Sequence, residues 1–236
     1  MSSSVPIVLA IDTATEVCSV AVLSGNRLSE LIETVANKHS DRALPMIDAV
    51  LARATLRLSD IDVFAFGAGP GSFTGLRIAC GIAQGLAYGK GRQVVPVGNL
   101  RALAEQAFAT LGDGATVLTA IDARMNEAYC AIYRRDAEVS EVRAPALERP
   151  SFLVELADEA NVALVAGNAL VSFSALWPQH RSRKMLPGAT PTAANVARLA
   201  RLDAQRGLSV APAQAAPIYV RDHVALTIEE RKRVIA

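Results

Sequence analysis

The sequence predicts an α/β protein in which one design is used twice: two lobes, residues 1–112 and 113–236, each a three-stranded β-meander followed by alternating helices and strands. Three observations predict it. Short apolar runs, closely punctuated by turn residues, open each half. The apolar period then changes to that of a helix. Finally, Ala10-Ile11-Asp12 returns as Ala120-Ile121-Asp122, again at the end of an apolar strand. A tripeptide match is weak alone, but its recurrence at the same point of the same order of elements argues for an internal duplication.

In the first half, residues 5–12 form a continuous apolar run that ends in Asp12. Residues 17–23 and 28–35 come next as further strands, with Ser24-Gly25-Asn26 supplying the turn. Beyond them Leu44, Ile47, Val50, Leu51 and Ala54 keep helical spacing, with Ser40 or Asp41 as a cap and Pro45 setting the start. Residues 62–67 read as a buried strand leading into Gly69-Pro70-Gly71-Ser72-Phe73-Thr74-Gly75. A small-residue helix over 76–88, a strand over 94–97 and a helix over 99–111 complete the half. The second half reads as strands over 117–121, 128–133 and 138–143, a helix over 151–159, a strand over 162–166 with Gly167-Asn168 behind it, and a helix over 192–205. A polar tail ends the chain, and the terminal helix can cross between lobes.

Composition excludes several classes. Hydrophobic residues at 51% and charged residues at 20% fill a sizeable core and are not those of a disordered chain. Lys and Arg total 24 against 23 Asp and Glu, a net charge of +1. The densest basic stretch, Glu229-Glu230-Arg231-Lys232-Arg233, is offset by its own carboxylates. Because phosphate neutralisation dominates nucleic-acid affinity, an unaided grip on such a ligand is not expected. Cys18, Cys80 and Cys130 lack metal-type spacing, which points to a reducing compartment. The apolar run ending at Ile11 is too short for a signal peptide or a membrane span, so a cytoplasmic location without membrane contact is expected.

The loop containing Gly69, Gly71, Ser72, Thr74 and Gly75 admits two readings. Backbone N–H groups at a helix start can cradle a phosphate; alternatively the glycines serve only a tight strand-to-helix turn. No Gly-Lys-Ser/Thr comes after it, so this is not a Walker loop. The helix behind it says more. At about 100° per residue, Leu76, Ala79, Ala83, Leu86 and Ala87 share one apolar face, and Ile78, Gly81, Ile82, Gly85 and Gly89 share the opposite one. Arg77, Gln84 and Tyr88 are left on a narrow polar strip. An interior glycine costs roughly 1 kcal/mol relative to alanine, so Gly81 and Gly85 need a reason. Close approach of another backbone is such a reason, and the helix is expected to be buried on both sides. The second cover is either the preceding helix of the same chain or a helix of another protein.

Catalytic groups are scarce. His39, His180 and His223 have no zinc or iron spacing, and His39 beside Ser40 and Asp41 reads as a helix-start residue. No serine triad or cysteine nucleophile assembles, and Cys130 reads as core. Asp12 and Asp122 can hold Mg²⁺ or act as bases, but strand-end aspartates also cap turns.

The duplicated topology resembles the actin-like ATPase (ribonuclease H-like) superfamily. Active members hold nucleotide phosphates in glycine-bearing turns after the first strand of each lobe. Here those turns are Asp12-Thr13-Ala14-Thr15-Glu16 and Asp122-Ala123-Arg124-Met125-Asn126, neither with a glycine. The resemblance therefore implies a vestigial nucleotide pocket at Asp12, Thr13 and Asp122. More specifically, the chain resembles the TsaB (YeaZ) family in five places. These are Ile11-Asp12-Thr13-Ala14-Thr15-Glu16; His39-Ser40 leading to Leu44-Pro45; the glycine loop through Leu76-Arg77 and on to Gly85-Leu86-Ala87; Asp122-Ala123-Arg124 with Glu127 and Tyr129; and Pro217-Ile218-Tyr219-Val220-Arg221. The glycine-loop stretch is the most specific of these.

That resemblance implies a non-catalytic scaffold. The related TsaD carries a metal on a histidine pair just after the strand corresponding to residues 94–97, where this chain has Gly98-Asn99-Leu100-Arg101-Ala102-Leu103. The family pairs with TsaD and the ATPase TsaE to transfer threonylcarbamoyl to the adenosine beside the tRNA anticodon, and alone forms a homodimer through its first two helices. Ala43, Ile47, Leu51, Ile78, Gly81, Ile82, Gly85 and Gly89 are then the candidate contact residues. The chain itself needs no metal or other cofactor; ATP and Mg²⁺ enter through partners, and tRNA is met only indirectly. An active small-molecule kinase or ATPase of the same fold is the alternative, and a metallopeptidase a third.

Overall fold

The computed structural model describes residues 5–35, 38–177 and 183–221. His180, His223 and the basic stretch at 229–233 lie outside them. The chain forms two five-stranded sheets with the same strand order. In the first sheet, β1 (Val8–Asp12), β2 (Val17–Ser24) and β3 (Arg27–Thr34) form an antiparallel meander. Then β4 (Val63–Gly69) and β5 (Gln93–Gly98) add in parallel on the other side of β1. The second sheet repeats this with β6 (Thr116–Arg124), β7 (Glu127–Arg135) and β8 (Val139–Glu148) as the meander, and β9 (Leu164–Gly167) and β10 (Lys184–Pro187) in parallel. The duplication inferred from the repeated order of elements is thus a duplication of topology.

Both faces of each sheet are covered, which is why the strands read as continuous apolar runs and not as alternating ones. On β1, Leu9 and Ile11 face α1 (His39–Ala54) and α2 (Phe73–Lys90), while Val8 and Ala10 face α6 (Ala193–Gln205). On β6, Leu118 and Ala120 face α4 (Pro150–Glu159) and the one-turn helix α5 (Ala169–Ser172), while Val117 and Ile121 face α3 (Asn99–Phe108). The two inner helices tie the halves together. α3 buries Leu100, Leu103, Ala107 and Phe108 against the second sheet, and its Arg101 makes a bidentate ion pair with Asp203 of α6 at 2.6 and 3.1 Å. α6 lies in the sequence of the second half but packs on the first sheet, where its Ala193 N–H donates to Ser19 Oγ at 2.9 Å.

Several boundaries differ from expectation. α1 begins at His39, so Ser40 and Asp41 lie inside it, and Pro45 sits within the helix. Its core stripe is Ala43, Met46, Ile47, Val50 and Leu51, whereas Leu44 is half exposed. α2 begins at Phe73, not at residue 76, with Ser72 as its cap, so the last three residues of the glycine loop are helix. β8 runs five residues beyond residue 143, to Glu148, and β10 and α5 carry too few residues to show a period in the sequence.

Candidate functional site

Two features stand out around α2: an uncovered face and a cleft. Leu76, Ala79, Cys80, Ala83 and Ala87 are buried against the first sheet. On the opposite side Gly81, Gly85 and Gly89 are exposed, and a Cβ added at any of them would meet nothing within 4 Å. Ile78 and Ile82 flank them, partly buried. The expected burial on both sides is therefore not met by the described residues: one side is covered and the glycine side is open. α1 does not cover it. Ala43, Ile47 and Leu51, expected at the contact, are 0%, 3% and 6% exposed and belong to the first core. Helical geometry spends that stripe on the sheet, so these three residues are withdrawn from the candidate surface. Among the described residues no contact accounts for the glycines at 81, 85 and 89.

The glycine loop has an internal explanation. Gly69 has φ 127° and a Cβ there would overlap the Ile218 carbonyl; at Gly71 it would lie 2.7 Å from Ala14; at Gly75 it would overlap the Thr13 carbonyl. The turn after β1 is thus pressed into the start of α2. Ser72 N–H donates to the Ala14 carbonyl at 2.7 Å, Thr13 Oγ1 donates to the Gly75 carbonyl at 2.7 Å, and Gly75 N–H donates to Ser72 Oγ at 3.4 Å. Of the donors an anion would need, two are already engaged inside the chain.

Asp12 is fully buried behind this turn. Its Oδ1 accepts from Ala14 N–H at 3.1 Å and its Oδ2 from Asn99 Nδ2 at 2.5 Å, while Asn99 Oδ1 accepts from Gly69 N–H at 2.5 Å. Gly67 lies so close that a side chain there would overlap the carboxylate. Burial pushes the Asp12 carboxyl up to about 7, against the lowering effect of the two N–H donors and with a small further rise from Glu30. Asp12 and Thr13, expected in a vestigial nucleotide pocket, are a packed structural lock with no opening to solvent. Nothing in the sequence marks Asn99 as its partner, because the two residues are far apart along the chain and an asparagine at a helix start has many uses.

Asp122 behaves differently. It lines a cleft of about 610 Å³ whose walls are Ala14 to Glu16, the start of α2, the turn at 122–124, Tyr129, Asn168 and residues 218–221. Its Oδ1 accepts from Arg124 N–H at 2.8 Å and its Oδ2 from Ser172 Oγ at 2.8 Å, and its own N–H donates to Asn168 Oδ1 at 2.9 Å. The turn beyond it holds Arg124, Met125 and Asn126 at φ 64°, 54° and 57°, a run of left-handed residues without glycine. His39 sits at the first position of α1, 9% exposed, with Nε2 2.9 Å from the Thr15 carbonyl, which is a structural use.

The cysteines give no nucleophile. All three are buried; burial raises the Cys18 thiol to about 11 and the Cys130 thiol to about 12, and Cys80 is raised too. Among the described residues no group of three or more His, Cys, Asp or Glu side chains could hold a metal ion, and no helix is long and apolar enough to cross a membrane.

Comparison with known proteins agrees with this fold. The family model for TsaD, tRNA N6-adenosine threonylcarbamoyltransferase, matches residues 31–181. The chain is 51% identical over 121 residues to the tRNA threonylcarbamoyladenosine biosynthesis protein TsaB of Haemophilus influenzae, a match covering 51% of each chain. The matched stretch spans about half the length of the curated relatives. A crystal structure of a Pseudomonas aeruginosa protein, described as similar to the peptidase YEAZ, superposes with TM-score 0.83 at 37% identity, covering 92% of this chain and 100% of that one. The ROK hexokinase of Thermus thermophilus shares the fold alone, at TM-score 0.51 and 12% identity over 84% of this chain and 99% of that one.

Proposed function

The chain belongs to the TsaB (YeaZ) family, and from that premise we propose that it is a non-catalytic partner subunit that binds TsaD through the open face of α2. In this role it supports transfer of threonylcarbamoyl to the anticodon-adjacent adenosine of tRNA in the cytoplasm. TsaE joins the same assembly and brings ATP and Mg²⁺, tRNA is held mainly by the partners, and the free chain pairs with itself through the same face.

One observation carries this reading: Gly81, Gly85 and Gly89 line an exposed helix face on which a side chain would meet nothing. Glycines of this kind cost helix stability in the isolated chain and gain a purpose only when another backbone comes close. The filled turn at the start of α2 supports the absence of a phosphate-transfer reaction, since the Ser72 and Gly75 N–H groups are already bonded inside the chain. Calorimetry with Mg-ATP tests the kinase or ATPase alternative; tight binding lost in Asp122→Ala, which removes a carboxylate that lines the cleft, would favour it. The peptidase description attached to the Pseudomonas relative finds no support in the three buried, raised thiols.

Gly85→Glu tests the reading. The site is open, so the monomer should fold with its melting temperature close to that of the parent chain. Co-purification with TsaD and the tRNA modification that depends on the pair should both be lost. A folded Gly85→Glu chain that still pairs with TsaD at full strength rules the face out.

A further inference from the structure

The landmark Pro217-Ile218-Tyr219-Val220-Arg221 has a place in the fold that the docking face does not use. Residues 212–221 run along the polar strip of α2. Gln84 Nε2 donates to the carbonyls of Pro212 and Ala215, both at 3.0 Å, and Ile218 N–H donates to the Ala68 carbonyl at 2.7 Å. Arg77 Nε donates to Tyr219 Oη at 3.1 Å and its guanidinium stacks 3.8 Å over the Phe73 ring, which lies 5.6 Å from that of Tyr219. Up to this point the segment is fixed to the first half alone.

Its last described residue reaches across. Arg221 Nη2 donates to Glu127 Oε2 at 2.7 Å and to the Ala123 carbonyl at 3.1 Å, and Nη1 lies 3.1 Å from Met125 Sδ. All three lie in or beside the β6–β7 turn on the far wall of the cleft. The Arg221 side chain is only 13% exposed, against 36% for Glu127, so this pair is screened much less than a surface ion pair. α3 also joins the halves, through an apolar interface that can act as a pivot.

We propose that residues 212–221 form a clasp: anchored along α2, they close on the second half through Arg221 and set the opening of the cleft between the two sheets. Arg221 is a positioning residue, and Glu127 and the Ala123 carbonyl are its catch. The left-handed run at 124–126 fits this role, because it turns the Ala123 carbonyl and the Glu127 side chain toward one guanidinium. Releasing Arg221 lets the glycine-loop wall and the β6–β7 wall move apart about α3. The clasp does not depend on whether the glycine face docks a partner.

Spin labels at Thr74→Cys and Asn126→Cys, one on each wall and both exposed, measure the opening by pulsed electron resonance in the full chain; the native cysteines are buried and stay unlabelled. Arg221→Ala should shift the mean distance upward and broaden its distribution, Glu127→Gln should do so to a smaller degree, and Arg221→Glu with Glu127→Arg should return it toward the parent value. Should Arg221→Ala fail to fold, the Glu127→Gln and charge-swapped chains carry the same reading. Distributions that stay narrow and unmoved in the folded variants, or a swap that restores nothing, overturn the clasp.

Discussion

The turns after β1 and β6 occupy the same place in two copies of one topology, yet the carboxylate of the first is sealed and that of the second lines the cleft. Both aspartates cap the N–H two residues on, Asp12 at 3.1 Å and Asp122 at 2.8 Å. The difference lies in the element behind the next parallel strand. After β4 comes the glycine loop and an 18-residue helix, whose start is driven into the Thr13-Ala14 turn. After β9 comes Gly167-Asn168 and a helix of 4 residues, too short to fill the corresponding space. A repeated fold therefore does not repeat its environments. The element packed behind a carboxylate, more than its position on a strand, decides whether it is a lock or a cleft-lining group.

The largest effect expected from this contrast is at Gly75. In Gly75→Val the new side chain overlaps the Thr13 backbone carbonyl, and neither the helix nor the turn can yield without breaking the seal. A loss of about 4 to 5 kcal/mol or more, read from urea midpoints, is expected; a chain that tolerates valine there would show that the first turn is not packed as described.

Next comes pH. The folded carboxyl of Asp12 titrates at about 7, above its ordinary 3.8, so between these values the unfolded chain has released a proton that the folded chain keeps. Its contribution to stability is then full below about pH 4, falls as pH rises toward 7, and stays low above that. The change is of the order of 4 kcal/mol as an upper bound. Denaturant midpoints from pH 4 to 8 should show this slope in the parent chain and in Asp122→Asn, and lose it in Asp12→Asn. A slope removed by the Asp122 variant instead would break the contrast between the two turns.

The two asparagines sharpen it further. Asn99→Ala strips a wholly buried carboxyl and the Gly69 N–H of their shared partner and should cost about 2 to 3 kcal/mol. Asn168→Ala removes one bond to the Asp122 N–H on a partly open wall and should cost about 1 kcal/mol. Equal losses would mean that the second turn is as tightly supported as the first.

Much of the architecture is legible in the chain. Runs such as 8–12 and 117–121 are apolar on both faces because both faces are covered, and the change of period after each meander places the outer helices. The glycine face of α2 is legible as well, since periodicity needs only the helix itself. The candidate site is harder. Resemblance points Ala43, Ile47 and Leu51 outward, but the stripe that makes α1 amphipathic is the one its sheet consumes. Resemblance also puts Asp12 and Thr13 in a pocket, but the start of α2 fills that space.

The amino-acid sequence alone determined the duplication, the order of the longer strands and helices, and the two faces of α2, because these rest on periodicity and turn chemistry between near neighbours. Only the tertiary structure decided which face of α2 stays bare, that Asn99 holds Asp12, and that Arg221 reaches Glu127 from 94 residues away. Those outcomes depend on which elements the packing brings together, and hydrogen bonds across such separations leave no local trace in the chain.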